Sequence, residues 1–87
     1  MSIKRFNAKR DATEPEILRA LVRAGAFYLR LDTVDLLVLF RGDLFLLDCK
    51  TARGRATKTQ EALITLGWPL HYVRTPIEAL KAIGAVQ

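Results

Sequence analysis

The sequence predicts a small α/β (α+β) domain, a mixed β-sheet flanked by helices, in the order helix, strand, strand, strand, helix, strand, helix. Apolar residues recur at helical spacing in some segments and form short continuous runs in others. Glycine or proline stands at most of the boundaries between these segments. The chain has 87 residues, of which 51% are hydrophobic, so it has room for one core. We therefore expect a single domain that spans residues 1–87.

The first helix is predicted to begin at a capping box, with Thr13 as the N-cap and Glu16 at the third helical position. It should run to about residue 24, because Gly25 can end it. Glu14 lies at the end of its apolar stripe and should point toward the sheet. The stripe consists of Ile17, Leu18, Leu21 and Val22.

Three apolar segments after Gly25 predict strands over residues 26–31, 34–40 and 44–50. The last two strands are close in sequence and predict a hairpin. If its loop is the two residues Arg41 and Gly42, Phe40 pairs with Asp43, whereas a three-residue loop would shift the pairing by one.

The second half of the chain adds a helix over residues 57–66, which stops at Gly67, and a strand over residues 69–73. A final helix is expected over residues 77–83. Thr75 is its N-cap, and Pro76 occupies the first helical position, where proline is tolerated.

The net charge is +5, and eight of the 14 Lys and Arg residues lie in two clusters. One is the polar segment 1–12, which we interpret as an N-terminal arm. The other follows the third strand and contains no acidic residue. Such clusters indicate a polyanionic partner, although basic residues can also simply solvate a surface. The members are Lys4, Arg5, Lys9 and Arg10 in the arm, and Lys50, Arg53, Arg55 and Lys58 after the strand.

No apolar run is long enough to span a bilayer, so we expect no membrane association. Cys49 is the single cysteine and cannot form an intramolecular disulfide; with one histidine it cannot supply a zinc site. These features predict a soluble, intracellular, cytoplasmic protein. The small core also favours association into a homodimer, which buries further apolar area.

Carboxylates interrupt two of the apolar strands. In the two-residue register Asp35 lies directly opposite Asp48, where like charges repel. Lys50 projects from the same face as Asp48, because side chains alternate along a strand. A bound Mg²⁺, or Mn²⁺ in its place, would relieve the repulsion, because both ions prefer oxygen ligands. Glu14, from the first helix, is the natural third carboxylate.

These residues lie within a pattern that resembles the VRR-NUC branch of the PD-(D/E)XK nucleases, particularly its small stand-alone members from bacteria and phages. The resemblance covers nearly the whole chain. It implies a restriction-endonuclease-like core and a metal-dependent endonuclease that hydrolyses DNA, often branched DNA such as Holliday junctions, commonly as a homodimer. The matching segments are KRDATE from Lys9, VDLLVL from Val34, FLLDCK from Phe45, TKTQ from Thr57 and YVRTPIEAL from Tyr72.

The resemblance also implies roles for individual residues. Glu14, Asp35 and Asp48 become metal ligands together with the main-chain carbonyl of Cys49, and Lys50 becomes the catalytic lysine. Gln60 matches the glutamine that supports the lysine and the site. The basic residues expected to contact DNA are Lys9, Arg10, Arg53, Arg55 and Lys58.

Two features depart from the family pattern. Val34 replaces the usual proline before the first aspartate, which removes no ligand. The loop between Lys50 and Gln60 is short, which narrows the expected substrate range or lowers activity. We interpret Trp68 and Tyr72 as core or dimer-interface residues rather than base-stacking ones.

Two other functions fit the same residues. The first is a catalytically weak or inactive nuclease-like module that binds DNA, although binding alone needs no carboxylates in a basic site. The second is a small α/β interaction protein in which Asp35 and Asp48 only end their strands.

Overall fold

A four-stranded sheet with helices on both sides forms the centre of the protein. The computed structural model describes residues 13–51 and 54–87. Within these ranges the elements follow the predicted order, which confirms the α+β class. They are α1 (Glu14–Arg23), β1 (Phe27–Arg30), β2 (Leu36–Phe40), β3 (Asp43–Cys49), α2 (Lys58–Leu66), β4 (Leu70–Val73) and α3 (Pro76–Ala82).

The sheet is mixed, as predicted. Its strands lie in the order β1-β2-β3-β4. The first three strands are antiparallel neighbours, and β4 runs parallel to β3. Parallel neighbours need a crossover connection, and α2 provides it. As a result, the end of β4 lies beside the end of β3.

Of the two loop lengths that the sequence left open, the β2–β3 hairpin has the two-residue one. Phe40 pairs with Asp43, and at the far end of the ladder Leu36 pairs with Leu47. Both loop residues have positive φ, 52° at Arg41 and 85° at Gly42. This is the combination found in type I′ turns, whose twist matches that of the flanking strands. The turn therefore fixes the register of every residue along the hairpin.

One face of the sheet packs against α1 and α3. Side chains alternate between the two faces of the sheet along β2 and β3, so every second residue of these strands faces the helices. Burial of these apolar groups supplies most of the stabilisation that such a small domain has. The core cluster contains Ile17, Leu18, Leu21, Ala26, Leu36, Val38, Phe40, Leu47, Cys49, Val73, Ala79 and Ile83.

The opposite face of the sheet carries large apolar side chains that remain exposed on β1, β2 and the start of β3. Leu29 is 64% exposed and Phe27 is 71% exposed. In the strand register they stand across from residues of β2 that project from the same face. We call this surface the open sheet face; it consists of Phe27, Leu29, Leu37, Leu39 and Leu44.

The predicted capping box at the first helix is wrong. An N-cap residue needs an extended backbone, but Thr13 has helical dihedral angles (φ −76°, ψ −18°) and its side chain caps no backbone group. Its hydroxyl is buried without a hydrogen-bond partner among the described residues. Glu16 is exposed. Val22, assigned to the apolar stripe, is also exposed.

The N-cap predicted for the last helix is confirmed, and the second helix has one that was not predicted. The Thr75 hydroxyl accepts a hydrogen bond from the Glu78 N–H at the start of α3. Thr57 and Gln60 form a complete capping box at the start of α2. None of the helices described in residues 13–51 and 54–87 is long and apolar enough to cross a membrane.

Candidate active site

Asp35 and Asp48 are joined by hydrogen bonds where β2 begins and β3 ends. The register pairs Leu36 with Leu47, so the next position along the ladder places Asp35 across from Asp48, as predicted. The Asp35 N–H donates to Asp48 Oδ1 over 3.0 Å. The Cys49 N–H donates to Asp35 Oδ2 over 2.8 Å. Each carboxylate thus accepts a hydrogen bond from the backbone of the other strand.

Lys50 offsets the negative charge of this pair. Its Nζ lies 2.7 Å from Asp48 Oδ2, and the two side chains are 12% and 4% exposed. The ammonium is therefore largely shielded from solvent, where a charge-assisted contact is strong. The sequence predicted that the carboxylate repulsion would need a cation. In the structure, the repulsion is offset by two backbone N–H groups and the Lys50 ammonium.

The loop after Lys50 packs closely on its side chain. A Cβ atom added to Gly54 would lie 3.1 Å from Lys50 Cδ and 3.2 Å from Lys50 Cβ, so the lysine would have to shift by a few tenths of an ångström to make room for it. Arg74, just after β4, donates from Nη2 to the Gly54 carbonyl over 3.0 Å. Glycine at position 54 and the guanidinium of Arg74 together hold the loop against Lys50.

Tyr72 completes the surroundings of the ion pair. It is the parallel-strand partner of Asp48, and Lys50 Nζ lies over its ring, 5.7 Å from the ring centroid, within the range of a cation–π contact. Its hydroxyl is buried without a hydrogen-bond partner among the described residues. Burial raises the pKa of Tyr72, Lys50 lowers it, and Asp48 and Glu61 raise it; the net shift is upward, so the phenol stays protonated at neutral pH.

Gln60 supports the aspartate end of the site. It is buried in the first turn of α2. Its Oε1 accepts from the Thr57 N–H, and its Nε2 donates to the Thr33 carbonyl over 2.8 Å. Thr33 lies two residues before Asp35, so Gln60 fixes the backbone that leads into β2. The family resemblance implied that Gln60 supports the lysine and the site, and its hydrogen bond to Thr33 reaches the segment before Asp35.

Glu14 is buried in the first turn of α1, as the sequence predicted, and is 3% exposed. This helix packs on the core face of the sheet, whereas alternation places the Asp48 side chain on the other face from Leu47. In residues 13–51 and 54–87, no three His, Cys, Asp or Glu side chains are grouped as metal ligands. The ligand roles of Glu14, Asp35, Asp48 and the Cys49 carbonyl stay predictions.

The basic residues predicted to contact DNA are only partly within the described chain. Arg55 and Lys58 are exposed, in the loop after Gly54 and at the start of α2. Lys9, Arg10 and Arg53 lie outside the described residues, as does the predicted N-terminal arm 1–12.

Sequence reasoning missed two residues that surround Lys50. Tyr72 was interpreted as a core or interface residue, and Arg74 was given no role. Both lie at the end of β4, and only the parallel pairing of β4 with β3 brings them to the site. No local signal in the sequence sets that register. Trp68, interpreted as core or interface, is 54% exposed and so does not belong to the core.

Comparison with protein-family models, with curated proteins and with solved structures finds no match to the chain.

Proposed function

We propose that the chain is a metal-dependent endonuclease of the PD-(D/E)XK type, similar to VRR-NUC domains, that hydrolyses phosphodiester bonds in DNA. The observation that carries the proposal is the arrangement of Asp35, Asp48 and Lys50. Two carboxylates from neighbouring strands lie across from each other, and an ammonium contacts one of them. Acidic strand ends combined with one lysine are the pattern that this nuclease type uses at its active site.

The chemistry of these side chains fits Mg²⁺ or Mn²⁺. Both carboxylates are oxygen donors, which these hard cations prefer. Asp35 and Asp48 would hold the ion, and Glu14 and the Cys49 carbonyl are the further candidates. When bound, the cation would supply positive charge at the scissile phosphate. The hydrogen bonds from Asp35 N–H and Cys49 N–H orient the two carboxylates in advance, so little ordering remains when an ion binds.

Lys50 is the proposed catalytic residue. Hydrolysis joins the oxygen of a water molecule to phosphorus and breaks the bond from phosphorus to the leaving oxygen. In that transition state the non-bridging oxygens gain negative charge, and a positioned ammonium beside them stabilises it. Lys50 is largely shielded from solvent, where such stabilisation is strongest. Gln60 and Gly54 contribute by holding the segments on either side.

Exposed cations near the site fit a DNA substrate. Arg55 and Lys58 follow Lys50 along the chain and are available to phosphates. The open sheet face is apolar and largely exposed, which supports a homodimer. A symmetric dimer would present two equivalent sites. Two sites are needed when a branched DNA has two strands to be cut.

A competing function is a DNA-binding module without catalysis. The Lys50–Asp48 ion pair favours it, because this contact and the backbone hydrogen bonds offset the carboxylate charges without a metal. In that case Lys50 would be a structural residue.

A cleavage assay separates the two functions. Duplex, nicked, flapped and four-way-junction DNA, each labelled on every strand in turn, are incubated with the protein in Mg²⁺, in Mn²⁺ or in a chelator. We expect internal cuts in at least one substrate with metal and none with chelator. A preparation that binds these DNAs yet cuts none of them in either metal would support the binding module and reject the nuclease.

A further inference from the structure

Tyr72 combines two features that the fold alone leaves unexplained. Its hydroxyl is buried without a hydrogen-bond partner among the described residues. A buried polar group without a partner destabilises a protein, and such groups in native structures often mark a functional position. In addition, Tyr72 pairs with Asp48 across the parallel strands and carries the Lys50 ammonium over its ring.

The Lys50–Asp48 contact raises a problem for a cation site. Lys50 Nζ lies 2.7 Å from Asp48 Oδ2, and Asp48 Oδ1 already accepts the Asp35 N–H. A cation that binds the Asp48 carboxylate must therefore compete with Lys50 for it, and like charges repel at that distance. When the cation binds, the ammonium has to move.

The surroundings of Lys50 limit where its ammonium can go. The Gly54 backbone packs on the lysine stem, at the distance where even one added methyl group would be tight. The Tyr72 ring lies near its Nζ. Among the described residues, the Tyr72 hydroxyl is a buried oxygen on this ring without a hydrogen-bond partner, so it can accept a hydrogen bond from an ammonium that leaves Asp48.

We propose that Tyr72 is a positioning residue for Lys50: its hydroxyl accepts a hydrogen bond from the Lys50 ammonium when a divalent cation occupies the Asp48 carboxylate. The inference rests on the proposed function for the cation and for the role of Lys50. In this scheme the Lys50 ammonium contacts Asp48 without the cation and the Tyr72 hydroxyl with it. A hydrogen bond to an ammonium also removes the cost of leaving the hydroxyl unpaired.

The test is a double-mutant cycle read out as Mn²⁺ affinity rather than cleavage. Tyr72→Phe removes the hydroxyl and keeps the ring over which Lys50 lies. Lys50→Met removes the ammonium and keeps an unbranched stem against Gly54. Four full-length proteins are compared, namely wild type, each single variant and the double variant. Free Mn²⁺ is measured by electron paramagnetic resonance, and unfolding in metal-free buffer is measured by circular dichroism.

Three results are expected together. Tyr72→Phe does not lower the melting temperature without metal, because the hydroxyl has no partner there to lose. It weakens Mn²⁺ binding by about tenfold, the contribution of one hydrogen bond to a charged group. In the Lys50→Met background the same change leaves Mn²⁺ affinity unaltered, because that protein has no ammonium to donate a hydrogen bond to the Tyr72 hydroxyl.

Each departure overturns the inference. A clear loss of stability in metal-free Tyr72→Phe would show that the hydroxyl is already bonded. Equal weakening of Mn²⁺ binding in both backgrounds would show that Tyr72 acts without Lys50. Unchanged Mn²⁺ affinity in Tyr72→Phe, or no Mn²⁺ binding by the wild type, would show that Lys50 does not exchange Asp48 for the Tyr72 hydroxyl. Cleavage assays on the same proteins test the proposed function separately. If the wild type cuts DNA but the Mn²⁺ affinities show no coupling between Tyr72 and Lys50, only the inference is rejected. If the affinities show coupling but no DNA is cut, only the nuclease function is rejected.

Discussion

The backbone N–H of Asp35 donates to the carboxylate of Asp48 over 3.0 Å, so the two aspartates that face each other across the hairpin are joined rather than driven apart. The Cys49 N–H donates to Asp35, and the Lys50 ammonium contacts Asp48. Two formal negative charges and one positive charge remain concentrated at the strand ends. The net negative charge there favours the binding of a cation.

Divalent metal should stabilise the folded protein. A ligand that binds only the native state adds about 2.7 kcal/mol at 100 times its dissociation constant, which raises the melting temperature of a domain of this size by about 10 °C or more. Asp48→Asn should lose this shift, because the carboxylate that binds the ion is gone. Differential scanning calorimetry with increasing Mg²⁺ measures both proteins. An equal shift in Asp48→Asn would place the metal elsewhere.

Gly54→Ala should impair cleavage through Lys50. The added Cβ would lie 3.1 Å from Lys50 Cδ, so that side chain would have to shift by a few tenths of an ångström. A displacement of about 1 Å in an active site can reduce the rate by about 100-fold, so we expect this smaller shift to reduce it by about threefold to tenfold. The control is the same change in a Lys50→Met protein, where it should have little further effect. A full additional loss in that background would mean that Gly54 acts independently of Lys50.

The open sheet face should form the dimer interface. Leu29 is 64% exposed in an apolar surface, and Leu29→Glu would place a charge there. We expect wild type to be a dimer by multi-angle light scattering and Leu29→Glu to be a monomer with native circular dichroism. Val22→Glu is the matched control, because Val22 is 58% exposed on α1, which packs on the opposite face of the sheet. A dimer that survives Leu29→Glu and dissociates with Val22→Glu would assign the interface to the helix side.

The basic loop should contribute to the salt dependence of DNA binding. Replacement of Arg53, Arg55 and Lys58 by Gln should reduce the slope of log affinity against log salt by about 0.9 for each phosphate that the loop no longer neutralises. Fluorescence anisotropy with labelled duplex in chelator gives the slope without cleavage. Lys81→Gln, a change at an exposed lysine in the last turn of α3, is the control. An unchanged slope in the loop variant would place the DNA on another surface.

The hairpin shows what local sequence can predict. The sequence located the turn at Arg41 and Gly42 but left its length open, and the two-residue turn that forms fixes the pairing of every residue along the strands. The opposition of Asp35 and Asp48 follows from that turn alone. The cap at Thr75 was predicted for the same reason, because it depends on residues within one turn of helix. The capping box of Thr57 and Gln60 is equally local, but it was not predicted.

Features that depend on tertiary contacts were not predictable. Thr13 has the residue type of an N-cap, but its backbone is helical, so the capping box does not form. Tyr72 reaches the site through the register of two parallel strands that are joined by a whole helix. Arg74 depends in addition on the path of the loop that contains Gly54. These contacts join residues that are far apart in sequence, and the pattern near each residue does not encode them.

Lys50 is the residue on which the proposed hydrolysis of DNA depends most, and single-turnover cleavage by Lys50→Met at saturating DNA and Mg²⁺ tests its role most directly. Circular dichroism first establishes that the variant is folded, and Lys81→Met controls for the removal of one positive charge. We expect cleavage about 100-fold slower than wild type, with DNA affinity nearly unchanged, because the ammonium contributes most in the transition state. A Lys50→Met protein that cuts at the wild-type rate under these conditions would contradict a catalytic role for the lysine.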